Sequence, residues 1–358
     1  MVKYIISDSD IISNYNLVKE KTNALVIPVL KANAYGMGAK HVFEILKNEG
    51  VKTFMVSRIE EALSLKDDKS NIIILSCYNS PDYAKKIIEN DFVCGVDSFE
   101  FAKMLNNEAK RKEKKVKIHI KIETGFGRFG FTDLNEIIKI KDLENIEVEG
   151  IFSHFYGSFL KNDKFTDKQF EKFLNAVDFL IQNGFNFKIR HIANSCAILK
   201  SRKYDLDAVR CGSLLCGRSV INAKGLKKVG YLLSDICDIR WLEKGSNIGY
   251  GNVFKLKRKT KVGVLNLGSY DGLLMKKDYD TFRFIDILRY GFGVFKMLLK
   301  DNKTYFKVGD KKCAVLGRVA LNHTMIDLTD VDCKIGDTAK ICLSPLTVSE
   351  SVEREYHV

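Results

Sequence analysis

From about Ala24 to Gly217, apolar runs of strand length alternate with amphipathic stretches of helical spacing. The apolar runs predict strands over 24–31, 53–57, 71–76, 92–96, 116–122, 146–153, 188–193 and 207–211. They are nearly continuous rather than alternating, the pattern of parallel strands buried on both faces. The clearest helix is Thr166–Asn183. Phe170, Phe173, Leu174, Val177, Leu180 and Ile181 share one face of it. Thr166-Asp167-Lys168-Gln169 has the form of a capping box, and Gly184 is placed to end the helix. Eight strands with intervening helices over roughly two hundred residues predict a TIM-like (β/α)8 barrel. A doubly wound open sheet is the alternative, but no GxGxxG follows the first strand.

After about Lys228 the pattern changes. Tyr231–Leu242, Lys261–Gly268, Thr304–Val319 and Asp337–Leu343 read as strands, Gly309-Asp310 as a hairpin turn, and Phe282–Leu299 as a helix. The expected architecture is therefore α/β: a barrel over residues 8–228, then a mainly β domain over 229–358. Lys3–Ile6 is strand-like, and residues 1–7 are expected to join the second domain.

Composition narrows the class. The chain is 46% hydrophobic and 29% charged, ordinary for a globular protein. Its apolar runs are too short to span a bilayer, and the start MVKYIISDSD has no signal-peptide form. A cytoplasmic protein that makes no membrane contact is expected. Nine cysteines without a CxxC pair point to reduced thiols, with no metal site expected. The net charge of +13 raises the question of nucleic acid, but no helix-turn-helix, RNP or zinc-finger pattern accompanies it. A basic surface that attracts small anions is the reading that remains.

The candidate chemistry lies at the strand ends, where barrels of this kind build their active sites. Val26-Ile27-Pro28-Val29-Leu30 runs into Lys31 and then into an Ala/Asn/Gly segment. Burial there disfavours the charged ammonium and lowers its pKa, the property a Schiff-base lysine needs. A lysine snorkelling from the barrel mouth is the competing reading. Strand five carries His119 and Lys121 and leads to Arg128. Strand six ends at His154, strand seven at His191-Ile192-Ala193-Asn194-Ser195, and strand eight runs through Arg210 to Gly212-Ser213. Backbone amides near Gly212-Ser213 and the Ser195 hydroxyl are suitable phosphate donors, since phosphate sites in barrels use the loops after strands seven and eight. For His119, flanked by Ile118 and Ile120, a structural role is the expectation.

These segments resemble one family throughout. LKANAYGMG is similar to the KANAYGHG lysine motif of alanine racemases, with Met37 in place of the histidine. IKIETGFGRFG, GIFSHF, RHIANSCA, DAVRCGS, the GSNIGYGN segment and GRVALNHTMIDLT continue the likeness over nearly the whole chain. The resemblance implies pyridoxal 5'-phosphate (PLP) as cofactor, held covalently by Lys31, and a small amino acid as substrate. Lys31 and Tyr250 would be the two catalytic acid/bases, Tyr250 being donated by the partner subunit of a homodimer. Tyr35, His154, Asn194, Ser195, Arg210, Gly212 and Ser213 would bind the cofactor. Arg128, Leu321 and Tyr250 would meet the substrate, and Lys121 matches a lysine carbamylated in some members.

The sequence departs from the family at the substrate entrance. Ser269 stands where the family has a tyrosine, and Leu321-Asn322 where it has Met-Asp. No C-terminal phosphate-binding tyrosine is evident. The expected activity is interconversion of L- and D-alanine, supplying D-alanine for peptidoglycan. Ser269 also suits a racemase of serine or a larger amino acid. A non-catalytic PLP-binding homeostasis protein would be a single barrel, which the second domain argues against.

Overall fold

The computed structural model describes residues 1–275, 282–299 and 303–357. The chain divides into two compact units, Ser7–Val229 and a second made of Met1–Ile6 with Gly230–His357.

β1 (Val2–Ser7) belongs almost wholly to the second unit. The larger unit contains β2 (Leu25–Pro28), β3 (Thr53–Val56), β4 (Asn71–Ile74), β5 (Val93–Val96), β6 (Val116–Lys121), β7 (Ile146–Phe152), β8 (Ile189–His191) and β9 (Ala208–Cys211). All eight pair in parallel, in the order β2-β9-β8-β7-β6-β5-β4-β3. A parallel bridge between Val29 and Met55 and the bond from Leu30 N to Met55 O (2.8 Å) close the circle between β2 and β3. Each strand lies within its predicted run. Ile27, Val29, Met55, Ile73, Val93 and Ala208 form one buried cluster. Full burial of a side chain of the Val, Ile or Met class stabilises by about 1.5–3 kcal/mol, so such layers supply much of the barrel's stability.

Two details correct the sequence reading. The long helix spans Lys164–Gln182, with Asp163 at its N-cap, so it begins before Thr166. Thr166 and Gln169 are buried inside it and make no capping box. Gln169 Nε2 instead donates to Thr124 Oγ1 (3.0 Å) and His154 O (3.1 Å), while its Oε1 accepts from Tyr156 N (3.0 Å). Gln169 lies one turn before Phe173 on the core face, so tertiary partners outcompete the local cap.

In the second unit, β10 (Tyr231–Leu242) is long enough to pair with three strands. β1 and β15 (Thr338–Ile341) pair with its first half, and β11 (Thr260–Leu265) with its second. β12 (Tyr305–Val308) and β13 (Lys311–Leu316) form the hairpin over Gly309-Asp310, whose glycine has φ +55°. β14 (Thr324–Asp327) joins β11 to β13, and β16 (Glu353–His357) borders β1. These last two strands escaped the sequence reading because they are short and carry few apolar residues. A helix covers Phe284–Leu299. No helix among the described residues is long and apolar enough to cross a membrane.

Replacing Gln169 by Leu would remove three hydrogen bonds. Thr124 Oγ1 keeps Ser153 Oγ (2.8 Å), while His154 O and Tyr156 N lose this partner, at about 1–3 kcal/mol each. We expect a loss of about 2–4 kcal/mol in urea unfolding, short of full additivity because the loops can relax. An unchanged midpoint would show that the clamp contributes nothing.

Candidate active site

Lys31 stands at the mouth of the barrel, three residues past the end of β2. It opens the short turn Lys31–Tyr35, in which Ala32, Asn33, Ala34 and Tyr35 all have positive φ, between 51° and 56°. This is a turn of left-handed helix built from L-residues, at a cost of about 1–2 kcal/mol per residue. Small residues and asparagine keep that cost low. The turn is held by the bonds from Ala34 N to Leu30 O (2.8 Å), from Ala32 N to Glu61 Oε1 (2.7 Å) and from Ala39 N to Asn33 Oδ1 (2.7 Å). Met37, where the resembled motif has a histidine, is fully buried beneath it.

The Lys31 ammonium lies 5.9 Å from the centre of the Tyr35 ring. Burial lowers its pKa, and the positive charges of Arg128 and Arg210 lower it further; Glu61 opposes them. Lys121, at the end of β6, is likewise brought down to about 8, chiefly by burial. Its ammonium lies against the rings of Phe129 (4.7 Å) and Phe152 (5.5 Å). The Arg128 guanidinium stacks 4.4 Å from the Phe126 ring centre. Its loop is tied down by the Glu123 carboxylate, which accepts from the backbone of Gly125 and of Gly127.

Arg210, on β9, is fully enclosed, and burial pulls its pKa down to about 9, leaving it cationic at neutral pH. Its Nη1 donates to His191 Nδ1 (2.7 Å) and His191 O (3.1 Å). Its Nη2 donates to Ser153 O (2.7 Å), His154 Nδ1 (3.0 Å) and Ile192 O (3.1 Å). An arginine only donates, so the Nδ1 atoms of both histidines are unprotonated. Burial, with Arg210 close by, holds both imidazoles well below their usual pKa.

Lys31, Lys121, Arg128, His154 and Arg210 line one cavity of about 110 Å³ together with Ser57, Leu75, Ser76, Phe129 and Phe152. Its lining holds four cationic side chains and no carboxylate. Like charges concentrated this way demand an anionic occupant. Close by, Gly212 N donates to Ser195 Oγ (3.2 Å). Tyr35 comes so near to Gly212 that a Cβ there would lie 2.3 Å from its hydroxyl. Tyr35, Ser195 and the Gly212-Ser213 backbone thus bring two hydroxyls against a loop backbone, a polar grouping that suits phosphate.

Asn194 is occupied differently from the other candidates. Its Oδ1 accepts from Ser158 Oγ (2.7 Å) and caps the next helix at Ala197 N (3.2 Å), while its Nδ2 donates to Phe155 O (3.1 Å). Its side chain braces the loops around the cradle. Tyr250 and Leu321 belong to the other unit, where both are exposed, by 72% and 70%. Tyr250 opens a tight turn between Gly249 and Gly251, both at positive φ. Leu321 O accepts from Tyr270 N (3.0 Å) and Ala320 O from Ser269 N (3.0 Å), so these two segments clasp each other. That clasp requires glycine at 268, where a Cβ would meet Leu321 O at 2.0 Å.

His191, Gln169 and Glu149 were not singled out for the site from the sequence. Gln169 could have been found from its i, i+4 spacing with the buried Phe173.

Family models match both parts of the chain: alanine racemase, N-terminal domain, over residues 6–220, and alanine racemase, C-terminal domain, over residues 229–354. Alanine racemase 1 of Caldanaerobacter subterraneus subsp. tengcongensis is 32% identical over 342 residues, covering 92% of this chain and 82% of that protein. The alanine racemase of Clostridium perfringens is 34% identical, with 92% and 83% covered. Among solved structures, the alanine racemase of Clostridium difficile 630 superposes with a TM-score of 0.85 at 25% identity, covering 99% of this chain and 95% of that one. The fold is shared also with the Bartonella henselae alanine racemase solved with covalently bound pyridoxal phosphate (TM-score 0.80, 21% identity, 100% and 99% covered). With family models spanning both of its units, the chain belongs to the alanine racemase family.

Proposed function

We propose that this protein is a PLP-dependent racemase that interconverts L- and D-alanine. The observation that carries the reading is the carboxylate-free cationic cavity with a pKa-lowered lysine at its mouth. The residues present fit PLP: Lys31 would make the covalent link, the Tyr35–Ser195–Gly212–Ser213 cradle would take the phosphate, and Arg210 with His154 would hold the ring. When bound, PLP supplies an electron sink that acidifies the amino acid's α-hydrogen.

The chain's own residues do the rest. Racemisation takes a proton from one face of the α-carbon and returns one to the other, so two acid/bases must flank it. Lys31, whose ammonium is disfavoured by burial and by the neighbouring arginines, serves the D face. Tyr250 serves the L face, donated by the second subunit of a homodimer. Arg128 draws in the substrate carboxylate, and Leu321 borders the entrance. Arg210, permanently a donor, would hold the cofactor's ring nitrogen without giving it a proton. That limits electron withdrawal and favours return of the proton to the α-carbon. Lys121, with a pKa near 8, presents enough neutral amine to take up carbon dioxide as a carbamate. The setting we infer is the cytoplasm, with D-alanine feeding peptidoglycan synthesis.

A second reading, a racemase of serine or a larger amino acid, rests on Ser269 in the clasp at the entrance, where a tyrosine would fill more space.

Lys31→Ala should abolish borohydride-trapped cofactor on the protein, seen by mass spectrometry of the modified peptide; trapping at another lysine would displace Lys31 from its role. Tyr250→Phe should keep bound PLP yet slow racemisation of L-alanine by about 10²–10⁴-fold, the usual worth of an acid/base. Full activity in that variant would remove Tyr250 as the second base. Comparison of L-alanine with L-serine turnover separates the two substrate readings: serine matching alanine favours the wider entrance.

A further inference from the structure

Behind Arg210, away from the cavity, the hydrogen-bonded line does not stop at His191. His191 Nε2 lies 2.9 Å from His119 Nδ1, and His119 Nε2 lies 3.5 Å from Glu149 Oε2. Both histidines are fully buried and Glu149 is nearly so. Neither His119 Nε2 nor Glu149 Oε2 makes a hydrogen bond, so the 3.5 Å ion-pair contact between them is the approach that orients both. The other carboxylate oxygen faces Lys117 Nζ at 3.3 Å. The contact with His119, helped by Lys117, holds the Glu149 carboxyl down to about 2, so it is an anion throughout the working range.

The protons along this line can be assigned by logic alone. The Arg210 guanidinium only donates, so His191 Nδ1 accepts and its ring proton is on Nε2. That proton points at His119 Nδ1, which must accept, leaving the His119 ring proton on Nε2. Nε2 faces the carboxylate. Every link runs one way, from the buried cation to the buried anion. The opposite tautomer of His119 would set two N–H groups against each other at 2.9 Å, or, if His191 flipped with it, at 2.7 Å against Arg210.

The backbone is shaped for this line. The β6–β7 register shifts between Ile118 and His119. Gly150, opposite His119, could carry no side chain, because a Cβ there would lie 2.7 Å from His119 Cε1. Phe152 stacks on the His191 ring at 5.0 Å and 7°.

We propose that Glu149 is a positioning residue for Arg210: it accepts the His119 Nε2 proton and, through His119 and His191, keeps an unprotonated Nδ1 facing the guanidinium. It touches neither substrate nor cofactor. The tautomer assignment stands independently of the function proposed above; only its consequence for side reactions rests on that reading.

The test is nitrogen NMR of the full-length protein with ¹⁵N-labelled histidine, with and without PLP. The six histidines are assigned by substituting the others singly. We expect neutral, Nε2-protonated signatures for His119 and His191 in both states. Glu149→Leu should bring the Nδ1-protonated form of His119 into view and perturb His191, whereas Glu149→Gln, which keeps an acceptor, should restore the native pattern. In the PLP-loaded protein, transamination relative to racemisation should rise about tenfold in Glu149→Leu, as for one lost hydrogen bond to a charged group. A His119 proton on Nδ1 in the native protein overturns the proposal, and that spectrum decides even if Glu149→Leu does not fold. Unchanged tautomers in Glu149→Leu, or Glu149→Gln behaving like it, overturn it equally. Intact tautomers with an altered transamination ratio would count against the assignment, while shifted tautomers without racemase activity would count against the functional reading alone.

Discussion

A buried arginine with no carboxylate beside it is the constraint on which the barrel interior depends. Removing a guanidinium from water costs several kcal/mol even after relaxation. Arg210 meets that cost with three backbone carbonyls and two imidazole nitrogens. The carbonyls belong to the ends of β7 and β8, so the charge fixes those strand ends relative to β9. Burial, joined by the charge of the arginine beside them, keeps His154 and His191 neutral. The same charge depresses the Lys31 and Lys121 amines from a distance. Burial is the larger cause in all four groups, and the one buried cation adds to it in each.

This differs from the common way of burying an ion, a carboxylate in direct contact. A carboxylate in the cavity would neutralise the field that an anionic ligand needs. Placing that anion two imidazoles away, at Glu149, keeps the side-chain carboxylate out of the cavity while leaving the interior less unbalanced. Gly150 and the register shift beside it are where the sheet accommodates this arrangement.

The eight parallel strands were legible because continuous apolar runs such as Ile72-Ile73-Ile74 have no other use in a chain of this size. Lys31 and Arg210 were legible because a basic residue ending an apolar strand is conspicuous, and the family resemblance gave them roles. The Glu149–His119 link was not legible: residues in neighbouring strands meet through a register shift that no one-dimensional pattern records. The reading of Thr166–Gln169 as a cap failed for a related reason, since a local motif cannot announce that its glutamine has three tertiary partners. β14 and β16 were missed because short polar strands depend on neighbours supplied by the rest of the sheet.

The left-handed turn that carries Lys31 has a consequence for how the molecule assembles. Alone in solution those four residues would populate the opposite hand, so the turn cannot nucleate structure. It can close only after β2, β3 and the segment bearing Glu61 have come together to hold it. The lysine is therefore among the last parts of the barrel to reach its native geometry and among the first to leave it. In hydrogen exchange this segment would open at a lower free energy than the strands on either side. The reactive amine is thus withheld until the surrounding barrel already exists, so a partly folded chain carries the residue without its chemistry.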